Sequence, residues 1–309
     1  MNRRTWNTWL LGLGLVGGAQ AQTFEAHPLL DRVWDVRARA FLGLDAFFLR
    51  AAAARYVLLG EQHDSEAHHA HQLRMLQALS ARGLQPALAL EQFDTDHQAA
   101  LRQAQQSGVR DADALADAGQ LNRQGWRWPM YRDLIAHAAE QGWPLLAANL
   151  SRAEARRIVL GEVPAPSAVD AEQARLMEQD VIHGHCGYRP SPAILSGMVG
   201  AQRARDARMA AALDSVPGPV VLIAGAGHVR HDRAVPRHLA EPARALAVGL
   251  VEVREGKSAP ADYDSAGLDV LWFTAAKERP DPCAAPLPGL AGPKSSQPVS
   301  TQPASKESR

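Results

Sequence analysis

Two segments far apart in the chain end an apolar run in Gly-x-x-His. Tyr56-Val57-Leu58-Leu59 stops at Gly60 and delivers Glu61 and His63, and residues 220–224 stop at Gly225-Ala226-Gly227 and deliver His228. A third apolar run ends on Glu91 and a fourth on Asn149. A carboxylate two residues from an imidazole is a pairing that orients a general base. Two carboxylates with two imidazoles also offer oxygen and nitrogen donors to a divalent metal. Both chemistries stay open for Glu61, His63, Glu91 and His228, beside the plainer reading of satisfied polar caps at strand ends. There is no His-Glu-x-x-His and no Gly-x-Ser-x-Gly, so nothing points to a zincin or to a serine nucleophile.

Such residues meet only if the fold brings their strand ends to one edge. Short apolar runs at 56–59, 86–91, 144–149, 220–224, 245–253 and 268–273 read as strands, and the segments between most of them carry helical spacing. Helices are expected within 29–50, from Asp64 or Ser65 to Ala81, and over 95–106, 129–141, 171–182 and 191–213, with a short one after Ser151. No element is assigned between 107 and 127, and the connection between the last two strands is too short and polar for an assured crossover helix. Alternating strands and helices define an α/β fold, a largely parallel sheet with helices on both faces in a single domain over residues 22–278. In such sheets ligands bind at the carboxyl ends of the strands, where all four runs place their polar residues. The glycines are expected to let the chain turn sharply off the strand and to allow close backbone approach.

Further groups flank this edge. On the helix of 191–213, Gln202, Arg205, Asp206 and Met209 fall at helical spacing, and Arg205 or Asp206 can reach the crevice because the helix leads into the strand before His228. His68, His69 and His71 sit early on the helix after the first strand, where a solvated face, with pairing to Asp64, is the expectation. His183, His185 and Tyr188 flank Cys186 in a loop. Trp126, Trp128 and Tyr131 read as core aromatics.

Lysine plus arginine balance aspartate plus glutamate at 33 each in 309 residues, so no overall field favours nucleic acid or an anionic membrane. Arg3 and Arg4 precede a short apolar stretch ending in Ala19-Gln20-Ala21, the pattern of a secretory signal peptide cleaved after Ala21. The expectation is a periplasmic or secreted protein without a transmembrane segment and, lacking a cysteine near the cleavage site, without a lipid anchor. In an oxidising compartment Cys186 and Cys283 form a disulfide by default, with free thiols or metal ligation as alternatives. Residues 279–309 are rich in Pro, Ser and Lys and read as a disordered tail.

Five ordered motifs resemble one family: Leu58-Leu59-Gly60-Glu61-Gln62-His63-Asp64, Leu90-Glu91-Gln92-Phe93, Ala147-Ala148-Asn149-Leu150, the stretch from Ala201 to Ala210, and Ile223-Ala224-Gly225-Ala226-Gly227-His228-Val229. They are similar to the ChaN-like haem-binding uptake proteins, within a wider group that includes erythromycin esterases and TraB/TIKI proteins, and the likeness runs from about Asp31 to Phe273. The resemblance implies haem as cofactor, a role in iron acquisition, a tyrosine ligand and a homodimer. Tyr131 and Tyr188 are the tyrosines to which it points, with Asn149, Arg205 and Asp206 as further ligand-binding candidates. The alternative is a periplasmic hydrolase of esterase or peptidase type, with His63 as base, Glu61 and Glu91 orienting it or holding metal, and His228 assisting. Haem requires an axial ligand and an apolar slot, whereas the densest chemistry of the sequence is a polar crevice.

Overall fold

The computed structural model describes residues 27–281 together with Cys283 and Ala284. The expected signal peptide of residues 1–21 and the expected tail beyond Ala284 lie outside the described residues. Strands β3 (Tyr56–Glu61), β4 (Ala87–Asp94), β5 (Leu145–Asn149), β6 (Val220–Gly225), β7 (Ala245–Glu252) and β8 (Val270–Thr274) form a parallel sheet in the order β8-β7-β3-β6-β4-β5. Their near-continuous apolar composition fits burial on both faces.

Alternation along each strand divides the core in two. Val57, Leu59, Leu88, Leu90, Val221 and Ile223 face one layer of helices, which holds α1 (Leu44–Ala53), α2 (Glu66–Ser80), α3 (Gln98–Gln106), α4 (Ala112–Ala118) and α5 (Arg132–Glu140). Tyr56, Leu58, Ala89, Leu222 and Ala224 face the other, against Met209, Ala210 and Leu213 of α8 (Pro192–Asp214). Helices α6 (Arg152–Val159) and α7 (Ala171–Gly184) pack on α8. The expected doubly covered α/β sheet is therefore present.

Two local expectations are corrected. Of the opening segment, read as a helix with a connecting stretch, α1 is the helix, while β1 (Val33–Asp35) and β2 (Ala40–Leu42) form a hairpin that extends the sheet antiparallel to β8. Three-residue strands carry almost no periodicity, and the partner that stabilises β1 lies more than 230 residues downstream. The unassigned stretch before Arg127 contains α4, where the Asp111 side chain accepts a hydrogen bond from the Ala114 amide, a side-chain N-cap.

The disulfide between Cys186 and Cys283 is formed. The residues just before Cys283 are tied down as well. Arg279 donates to Asp64 (2.8 Å) and makes a two-pronged contact with Glu252 (2.6 and 2.8 Å), while Lys277 reaches the Asp64 carbonyl. A bidentate guanidinium–carboxylate pair is the stronger kind of surface contact. No described helix is long and apolar enough to cross a membrane.

Gly60 does not turn the chain. It lies inside β3, paired with Ala224 of β6 and Gly249 of β7, and what it supplies is space. A Cβ there would stand 2.5 Å from Val229 Cγ2 and 3.0 Å from Ala226 Cα, so the turn after β6 folds directly onto the strand. We predict that Gly60→Ala destabilises the protein by about 1–3 kcal/mol, the usual range for overpacking, measured by urea denaturation. A change below about 0.5 kcal/mol, the range of an inert surface substitution, would show that the turn gives way easily.

Candidate functional site

The register of the sheet sets the site. Glu61, the last residue of β3, stands opposite Gly225, the last of β6, and β4 on the far side of β6 carries Glu91. All three meet at one sheet edge.

Glu61 is buried and heavily bonded. Its Oε1 accepts from the Tyr131 hydroxyl (2.5 Å), His63 Nδ1 (2.9 Å) and Gln92 Nε2 (3.3 Å), its Oε2 accepts from Gln72 Nε2 (2.7 Å), and His69 Nε2 lies 3.2 Å from Oε2. Burial opposes its ionisation, but the contacts with His63 and His69 outweigh that cost and hold its pKa well below the usual carboxylate range. The His63 side chain remains 45% exposed. Burial disfavours its imidazolium, yet the Glu61 hydrogen bond and the charges of Glu91 and Glu61 prevail and raise its pKa.

Across the strand ends lies a second pair. His228 Nδ1 is 2.6 Å from Oδ1 of buried Asp206, and its Nε2 is 3.7 Å from Glu91 Oε1. Burial again opposes the charged ring, but Asp206 and Glu91 raise its pKa to about 9. Burial raises Asp206 too. With Glu91 as a second carboxylate beside the ring, the shared proton rests on His228. Glu91 sits between the histidines, its Oε2 accepting from the Gly225 amide (2.8 Å) and lying 3.9 Å from His63 Nε2. A Cβ on Gly225 would stand 3.0 Å from His63 Nε2, so this glycine serves the approach of a side chain of the protein itself.

Above these groups opens a cleft of about 740 Å³, within the range of small-molecule and cofactor sites. Its floor is polar, with Glu61, His63, Asp206 and His228. Its walls mix apolar side chains, from Met177 and Val181 of α7, Met198 of α8, Leu250 and Val251 of β7, and Tyr263, with the charged Asp180, Arg233, Glu252 and Asp264. Met198, Gln202 and Asp206 recur every four residues, so one stripe of α8 runs from wall to floor.

The remaining expected site residues divide. Asp206 reaches the crevice, while its neighbour Arg205, about 100° round the helix, turns to Asn149 Oδ1 at 3.3 Å. Asn149 is buried but caps the Leu150 amide. It ends the edge strand, three strand spacings or ~14 Å from β3, and does not line the cleft. Tyr131 is buried and holds Glu61 from below, and burial with the nearby Glu61 charge pushes its phenol pKa far up. Tyr188 is 38% exposed and lies outside the cleft lining.

The early histidines of α2 are not a solvated face. His68 and His69 are buried, the former accepting from the Gln62 amide (2.9 Å), and Asp64 is engaged by Arg279 and Arg127 instead. Gln72 and Gln92, which anchor Glu61, are not among the expected site residues. The signal for Gln72 was its place on the stripe His69, Gln72, Leu76, Leu79, a polar residue on an otherwise inward helix face. Among the described residues no three His, Cys, Asp or Glu side chains are grouped to hold a metal ion. Glu61 is saturated by protein donors, and both imidazoles that face Glu91 are favoured in protonated form.

A parallel α/β sheet with a cleft over its carboxyl edge defines the class of ligand-binding and catalytic α/β proteins. Residues 47–239, more than half of the chain, match the family described as haem-binding uptake, Tiki superfamily, ChaN, and the protein belongs to that family. The fold is shared with ChaN of Campylobacter jejuni, solved in a study of cofacial haem binding, at 23% identity over 78% of this chain and 95% of that one, with a TM-score of 0.67. More distant are the type III effector HopBA1 (14% identity, 75% and 93% covered, TM-score 0.43) and RRSP, a MARTX toxin effector domain of Vibrio vulnificus (16%, 72% and 37%, TM-score 0.42). No curated protein matches the chain.

A raised histidine pKa stabilises the fold fully below the unfolded value of 6.5, and the contribution is lost as pH rises through about 9. We predict that the denaturation midpoint of the wild type declines across this window and that Asp206→Asn flattens the decline. In the variant the His228 pKa should fall from about 9 toward or below 6.5, read from its ring-proton shifts by NMR. A value still near 9 would remove Asp206 as the cause.

Proposed function

We propose that the protein is an exported haem-binding protein serving haem or iron uptake, and that the haem lies in the cleft above β3, β6 and β7. The observation that carries this is the cleft itself, which is of cofactor size and sets Met177, Val181, Met198, Leu250, Val251 and Tyr263 beside charged groups, apolar surface for a macrocycle next to polar partners for its substituents. Arg254 and Lys257, at the rim, offer positive charge to the propionates. Cys186–Cys283 is in keeping with an oxidising compartment outside the cytosol. Cofacial binding, the arrangement named for the Campylobacter jejuni relative, requires two haems, which we ascribe to a second copy of this chain.

Hydrolysis has less support. His63 as general base needs a lone pair at neutral pH, and its carboxylate neighbours favour the imidazolium. Bound haem would supply a redox-active iron, and the residues lining the cleft would position it and exclude water.

Titration of the purified protein with haemin should give a saturable Soret shift, and sedimentation with haemin should show dimer. Val181→Trp, which fills the cleft, should weaken binding at least tenfold. Tyr131→Phe should leave binding intact while lowering stability by about 1–3 kcal/mol, the cost of unsatisfying a buried hydrogen-bonded group. A flat wild-type titration would end the proposal.

A further inference from the structure

Every carboxylate that lines the cleft already has a cationic partner within the protein. Glu61 and Asp206 hold His63 and His228. Of the others, Asp180 pairs with Arg233, Glu252 with Arg279 and Asp264 with Arg230. Arg254 and Lys257 also line the cleft, and neither pairs with a carboxylate among the described residues. Unmatched positive charge therefore collects where the chain leaves β7.

These two residues lie in the connection between β7 and β8, a segment short and polar in sequence whose backbone is nevertheless fixed. The Tyr263 hydroxyl accepts from the Arg254 amide (2.8 Å) and donates to the Lys257 carbonyl (3.0 Å), so one phenol grips both residues. Between them the Lys257 amide donates to the Arg254 carbonyl (3.1 Å), closing a turn in which Gly256 takes a φ of 76°. Tyr263 is itself buried, with its ring edge-on to Phe273 at 5.1 Å. The Lys257 ammonium lies 5.6 Å from the centre of the Tyr263 ring and donates to the Asp262 carbonyl (3.1 Å), so the ring's face attracts it as well. The loop's own acidic side chains do not neutralise the pair: the Asp262 carboxylate accepts from the Ala259 amide (2.8 Å), and Glu255 lies outside the cleft lining.

We propose that Tyr263 is a positioning residue for the ligand: by gripping Arg254 and Lys257 it builds a clamp for two carboxylates on one edge of an otherwise apolar ligand, and so selects porphyrins whose carboxylates are free. The inference rests on the haem-binding reading above and adds the orientation of the ring, with its propionate edge toward the β7–β8 connection. An ordered loop pays little further entropy when the ligand arrives, and its cations then form charge-assisted hydrogen bonds. Met177, Val181 and Leu250 offer the macrocycle the same apolar contact whether its propionates are free or esterified. Discrimination therefore resides at the clamp.

The test is titration of the full chain, followed by Soret absorption, with haemin and with its propionate dimethyl ester, for wild type, Tyr263→Phe, Arg254→Gln and Lys257→Gln. The wild type should prefer haemin, and the preference should shrink as salt is raised, since salt screens exposed charges. Arg254→Gln and Lys257→Gln should each weaken haemin binding by about three- to fivefold, the scale of a partly exposed ion pair, and leave the diester unchanged. Tyr263→Phe keeps the ring and removes only the grip. It should weaken haemin binding by a similar factor while binding the diester like the wild type, which also shows that the variant is folded. Equal weakening of both ligands in Tyr263→Phe, or of neither, overturns the assignment of Tyr263. Unchanged haemin binding in both glutamine variants overturns the clamp while haem binding itself stands. A wild type that binds no haemin overturns both.

Discussion

The buried carboxylate of Glu61 is the constraint on which the site depends. A desolvated charge costs several kcal/mol unless it is fully hydrogen-bonded, and here donors come from α2 through Gln72, from β4 through Gln92, from the start of α5 through Tyr131, and from His63. Moving any one of these elements would leave the charge unsatisfied. One strand end therefore fixes the spacing of a helix layer against the sheet, and it fixes the ring plane of His63 as well. The same carboxylate that determines the chemistry of the crevice holds together the face of the core on which α2 and α5 lie.

Much of this is legible in the sequence. The apolar runs and their terminal polar residues located the parallel strands and the edge where Glu61, His63, Glu91 and His228 meet, because strand ends in a parallel sheet converge whatever the loops do. What stayed hidden depended on partners distant in sequence. The β1–β2 hairpin exists because β8 is available to pair with it. The inward turn of His68 and His69 depends on the buried Glu61 and the Gln62 amide. Asn149 ends its strand as the others do, yet sheet order, which local pattern does not encode, places it at the far edge. Tyr131 lies in the core, and its link to Glu61 joins residues 70 positions apart.

The two families of contact in the cleft have separate origins. The polar floor is made by strand ends and by Asp206, all belonging to the sheet and the helix packed on it. Half of the apolar side chains of the wall come from α7 and α8, joined by the loop that carries His185 and Cys186. Floor geometry is set by ladder register, and wall geometry by helix–helix contact and the disulfide. Ligand preference can therefore drift in the α7–α8 unit without disturbing the hydrogen-bonded floor, an arrangement in keeping with one α/β scaffold hosting unrelated functions.

The bond between Cys186 and Cys283 spans 97 residues and encloses α8, β6, β7 and β8 in one covalent ring. Three of the six parallel strands and the helix that supplies Asp206 thus belong to a closed circuit. Cutting the backbone once anywhere inside it would leave the two pieces joined, with the wall and floor of the cleft still tethered to each other. That circuit keeps the two pieces covalently joined after a nick in an exposed loop such as the one between β7 and β8.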